Sequence, residues 1–137
     1  METLLSDESR RLAGILFLAL VTVETGGLYM LRIVRGREDV TPFQEKFARA
    51  GHAHAGVLLV LALLCQPFVD ASGLSGTGEW LARSGVAVAA LLMPGGFFFS
   101  SMGRGRTEPN RLVALVLAGG AVLAASLATL GVGLLTT

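Results

Sequence analysis

Residues 41–67 read TPFQEKFARAGHAHAGVLLVLALLCQP, and this stretch decides the fold. Thr41 suits a helix N-cap, Pro42 suits the first helical position, and Gln44 completes a Thr-x-x-Gln capping box, so a helix begins here. Its first two turns are polar and basic. From residue 50 to residue 69 the chain is apolar over about 20 positions, the length a helix needs to cross a bilayer. Pro67 lacks an N–H and crowds the preceding turn, which predicts a helix over 42–66.

Three other runs have the same character: 12–31, 80–102 and 112–135. In lipid every backbone amide must be satisfied within its own segment, so each run is expected to be a helix. The expected fold is all-α: a polytopic membrane protein built as a four-transmembrane-helix bundle, one domain over 1–137, with helices near 12–31, 42–66, 80–102 and 109–135. Composition agrees: 53% of residues are hydrophobic and 15% charged, against about 25% charged in soluble domains. Ser6, Asp7 and Glu8 suit the start of helix one, and no small-x-small site closes the first run, so it reads as a retained helix and not a leader. "TEPNR" places Thr107 and Pro109 at the start of helix four. The Gly- and Ser-rich "DASGLSGTGEW" reads as a flexible connector.

Orientation follows from Lys and Arg near the helix ends. Arg32, Arg35, Arg37, Lys46 and Arg49 lie between helices one and two, and Arg104, Arg106 and Arg111 between three and four; Arg10, Arg11 and Arg83 lie on the other side. This bias predicts a multi-pass protein of the inner or plasma membrane with both termini outside. The bilayer is the expected partner, and the basic first loop is a candidate for contact with anionic head groups. Nucleic acid is not expected, and no nucleotide-binding Gly motif is present. Cys65 is the only cysteine, which excludes an intramolecular disulfide.

Small residues mark packing faces. On helix four Ala121, Ala125, Thr129 and Gly133 form one ladder and Gly120, Ala124 and Ala128 the next, so a homo-oligomer through helix four is expected. Helix one carries a seam of Ala13, Phe17, Leu20, Glu24, Gly27 and Leu31, expected to face inward. On helix two Ala48, Gly51, Ala55 and Ala62 share one side, flanked by His52 and His54. Pro94, Gly95 and Gly96 in "MPGGFFFSSMG" predict a kink or break in helix three.

Glu24 and the two histidines are the candidate site. Glu24 lies about 12 Å inside the boundary set by Arg32 at helical rise, a depth at which a carboxylate must be protonated, paired or hydrated. His52 and His54 lie about 4.5 and 7.5 Å inside, counted from Arg49. Histidine titrates near neutrality and burial raises a glutamate toward that range, so Glu24 with either histidine makes an acid–base pair. Ser100, Ser101 and Asn110 are possible neighbours by depth. The competing reading makes the histidines interfacial packing groups and pairs Glu24 with Arg49 or Arg104. A spacing of two splays the histidine side chains by about 160°, against one shared metal ion. Haem would need ligands from opposing helices of a dimer, so no cofactor is predicted.

"AGHAHAGVL" resembles hydroxylaminobenzene mutase-type small membrane proteins, which have four predicted helices and a histidine near the start of the second. It is also similar to a His-x-His-Ala phrase in helices of haem–copper oxidase relatives. The first resemblance implies mutase activity, with His52 or His54 in the family histidine's place; it covers this stretch alone, and "ETGG" and "MPGGFFFSS" have no counterpart. Small multidrug resistance transporters are similar in having four short helices and a helix-one carboxylate. Glu24 lies farther from the N-terminus than theirs, helix three differs, and the charge bias opposes a dual-topology dimer. The function expected is binding or transport of a small molecule or protons at a Glu24–His site in the cytoplasmic half. The alternatives are a membrane enzyme of mutase or isomerase type on a small apolar substrate, and a structural or accessory subunit.

Overall fold

A computed structural model describes residues 4–136. It holds four long helices, α1 (Asp7–Val34), α2 (Pro42–Ala71), α3 (Gly76–Ser101) and α4 (Ala114–Leu135), with a 3₁₀ turn at Arg111–Val113 and no strand among the described residues. Each spanning candidate is long and apolar enough to cross a membrane. The helices pack in chain order, α1 on α2, α2 on α3 and α3 on α4. One end of the bundle, the terminal end, carries the start of α1 and the end of α4. The other carries most of the arginines and is called here the basic end.

Local chemistry starts these helices where the sequence places the signals. The Ser6 hydroxyl accepts from the Ser9 N–H at the head of α1. At α2 both halves of the Thr41–Gln44 capping box form. Gln44 does more, donating to the Ser101 and Gly103 carbonyls at 2.9 and 2.6 Å and so closing the end of α3. Gln44→Ala is therefore expected to lower stability in detergent by about 1–2 kcal/mol, the cost of a lost cap together with orphaned carbonyls. A thermal melt alongside the exposed Lys46→Ala control checks this.

Pro67 and Pro94 both lie inside continuous helices. α2 runs through Pro67 to Ala71, past the expected end at Gln66. The turn beyond Pro67 carries Asp70, whose bonds to α1 and α3 offset the lost backbone bond. The expected connector is thereby shortened: α2 and α3 absorb most of it, and Leu74 packs against Gly133. α3 likewise continues through Pro94, Gly95 and Gly96 without a break. Pro94 and Gly96 are buried, and Gly96 lets the α4 backbone approach, so this motif serves packing. It is Asn110, not Thr107, that caps the 3₁₀ turn leading into α4, accepting from the Leu112 N–H at 2.8 Å.

The core joins Leu16 of α1, Leu58, Leu59, Ala62 and Cys65 of α2, Ala82 and Val86 of α3 and Leu130 of α4. Ala48, Gly51 and Ala62 are buried along α2. α4 meets α3 through Gly119 and Ser126 and meets Leu74 of the α2–α3 connector through Gly133, so most of the two expected ladders stays outside; Ala121, Ala124, Ala125 and Ala128 are exposed. α1 is also turned from the expected seam. It buries Ser9, Leu16 and Ile33, while Phe17, Glu24 and Leu31 are exposed. Two contacts set that rotation: Ser9 is drawn toward Arg83, and the His52 ring lies against Gly26 and Gly27.

Candidate functional site

The two histidines face different helices. His52 is on the α1 side, where a Cβ built on Gly26 would lie 3.2 Å from its Nδ1 and one on Gly27 3.7 Å from Cε1 and Nε2. Absence of side chains at both glycines is what seats the imidazole. His54 turns to α3: its Nδ1 is 2.7 Å from the Ala50 carbonyl oxygen, and its ring centroid is 5.0 Å from that of Phe97. Phe97 also meets Phe47 edge-on at 5.4 Å, so His54 completes an aromatic row. Rings pointing to opposite neighbours cannot share one ion, and the described residues hold no group of three metal-ligating side chains.

Glu24 falls beside His52. Both line an open hollow of about 420 Å³ whose other walls are Leu20, Val21 and Val23. An adjoining hollow extends it along the α1–α2 seam past Gly56 and Val60, and another lies on the surface of α1 beside Thr25 and Leu28. Thr25 donates to the Thr22 carbonyl, so its hydroxyl is occupied. Among the described residues neither Glu24 nor His52 has a hydrogen-bond or ion-pair partner. A carboxylate and an imidazole thus share one apolar groove with their polar atoms unspent.

The remaining expected neighbours lie elsewhere. Ser100 and Ser101 donate to Phe97, and Ser101 also to Phe98, within their own helix. Asn110 donates to the Phe99 and Ser100 carbonyls. These three close the end of α3 and lead into α4.

Sequence reading missed a second polar cluster, at the terminal end. Arg83 is 8% exposed. Its Nη1 donates to Asp70 at 2.9 Å, to Ser6 at 3.3 Å and closely to Ser9; its Nη2 donates to Glu79 at 2.6 Å. Asp70 also accepts from the Ser6 backbone N–H and from both serine hydroxyls. Gln66, fully buried, donates to the Ala62 and Arg83 carbonyls, and its Oε1 has no partner among the described residues. Arg83 thus fastens α1 and α2 to α3. The available signal was an i,i+4 Glu79–Arg83 pair at the head of α3, following Asp70 at the end of α2.

No family model, curated protein or solved structure matches this chain.

Proposed function

We propose that the protein is a multi-pass inner-membrane protein in which Glu24 and His52 form a protonatable site for binding or transporting protons or a small molecule. The observation that carries this reading is their shared groove: two titratable side chains, both without protein partners, line one apolar hollow between α1 and α2. A carboxylate facing hydrocarbon is costly when charged, by about 2.5–3.5 kcal/mol at mid-helix for comparable groups, so protonation is the low-energy response. An adjacent imidazole then supplies a second station for the proton. His54 has no part in this site. The arginine bias puts the basic end in the cytoplasm and both termini outside.

The test is proton flux into vesicles holding the purified protein, driven by a potassium diffusion potential. Wild type is expected to exceed empty vesicles, Glu24→Gln to fall to the empty-vesicle rate, and His52→Ala to lose roughly a hundredfold, the low end of general acid–base contributions. His54→Ala should retain the flux. Absence of flux in wild type, or full flux in Glu24→Gln, overturns the transport reading.

Self-association through α4 belongs to the same proposal. Ala121, Ala124, Ala125 and Ala128 stay exposed because α3 uses the other face of that helix. Small side chains of this kind let a second helix come close in lipid.

A further inference from the structure

The basic end contains a cavity of about 440 Å³, separate from the Glu24 groove. It lies between the last turns of α1 and α3, over the first turns of α2. Hydrogen bonds and an ion pair hold its frame. Arg32 Nε holds Glu38 at 2.6 Å, pinning the α1–α2 loop. Thr41 donates to the Arg106 carbonyl at 2.5 Å, and Gln44 fixes the end of α3. The walls are therefore set before any ligand arrives, which lowers the ordering cost of binding.

The chemistry of the walls selects a cation with an apolar body. Tyr29 and Phe98 contribute aromatic rings, and Met102 a thioether. Asp39 and Glu38 line the same space; Glu38 is committed to Arg32, whereas Asp39 and the Tyr29 hydroxyl have no partner among the described residues. The last carbonyls of α1 and α3 already accept hydrogen bonds, and the head of α2 is closed by its capping box, so the helix ends add little charge of either sign. Aromatic faces attract a desolvated ammonium, and the carboxylate supplies its counter-charge. An anion would face the Asp39 carboxylate. Calcium would need 6–8 oxygen ligands, and one free carboxylate among aromatic walls does not supply them.

We propose that this cavity binds a small organic ammonium ion carrying an aromatic or similarly apolar body. It enters from the water at the basic end, where Asp39 is exposed. The exposed Arg35, Arg37 and Arg104 nearby lower the affinity, and salt screens them over about 8–10 Å. The ammonium sits toward Asp39 and Tyr29, with its ring between Tyr29 and Phe98.

The probe is benzylammonium chloride, titrated calorimetrically into the full chain in detergent, with empty micelles subtracted and benzyl alcohol as neutral isostere. Saturable binding of benzylammonium is expected, with none for benzyl alcohol. Asp39→Asn should weaken it about tenfold, the loss of one charge-assisted bond. Tyr29→Phe should weaken it less. Phe98 is unsuited as a probe position because its ring packs against Gly51. Glu24→Gln should bind as wild type does, which separates this site from the α1–α2 groove. No saturable binding, equal binding of benzyl alcohol, or unchanged affinity in Asp39→Asn overturns the proposal.

Discussion

Asp70→Ala is expected to destabilise the protein by about 1.5–3 kcal/mol, because it removes the more shielded of the two carboxylates that hold the Arg83 guanidinium. The side chains of Arg83 and Asp70 are 10% and 16% exposed, so solvent does little to replace the lost carboxylate. The same substitution removes an acceptor from the Ser6 N–H and from two serine hydroxyls. Glu79 offers the contrast. It binds the other arm of the same guanidinium, but its side chain is 39% exposed. Glu79→Ala should cost about 1 kcal/mol or less, as exposed ion pairs do. Denaturant titration in detergent, with helicity as readout, checks the pair of values. Equal losses would mean that the Arg83 cluster is solvated and does not clamp α1 to the bundle.

The second large effect belongs to Gly96. A Cβ built there would lie 2.7 Å from the Val116 backbone nitrogen and equally close to its Cγ2. Backbone cannot move aside as a flexible side chain can, so Gly96→Ala forces α3 and α4 apart. Overpacking of this kind costs about 1–3 kcal/mol, against a helix-propensity gain of about 1 kcal/mol for Gly→Ala. A net loss is expected at Gly96. At Gly120 nothing lies within 4 Å of an added Cβ, so the propensity gain stands alone and Gly120→Ala should be neutral or stabilising. Thermal melts of the two variants should thus shift in opposite directions or leave Gly120→Ala unmoved. A stabilised Gly96→Ala would contradict the close α3–α4 contact.

The helices were legible because their signals are local: a capping box at Thr41–Gln44, a Ser6 cap, and apolar runs of spanning length. Their true ends were less so. Pro67 is a local stop signal that loses to the distant bonds of Asp70, and no window of sequence around Pro67 contains Ser6, Ser9 or Arg83. The same blindness hid the Arg83 cluster, whose members are polar residues from three separate helix ends. The rotation of α1 was missed for a related reason. A seam of mixed size through Glu24 and a neighbouring one through Leu16 and Val23 differ by a fraction of a turn, and only contacts with His52 and Arg83 choose between them. Glu24 and His52 themselves stood out as titratable groups in apolar runs. That they meet in one groove, while His54 joins Phe97, depends on Gly26 and Gly27, which look in sequence like any helix-packing glycines.

Carbodiimide modification of Glu24 tests the proposed site most directly. Dicyclohexylcarbodiimide partitions into apolar surroundings and reacts with a protonated carboxyl, so the protein in vesicles at neutral pH should form one stable adduct, mapped by mass spectrometry to Glu24. Labelling should vanish in Glu24→Gln. Failure of Glu24 to react, or labelling spread equally over the loop carboxylates, would contradict a Glu24 carboxyl lodged in the apolar α1–α2 groove.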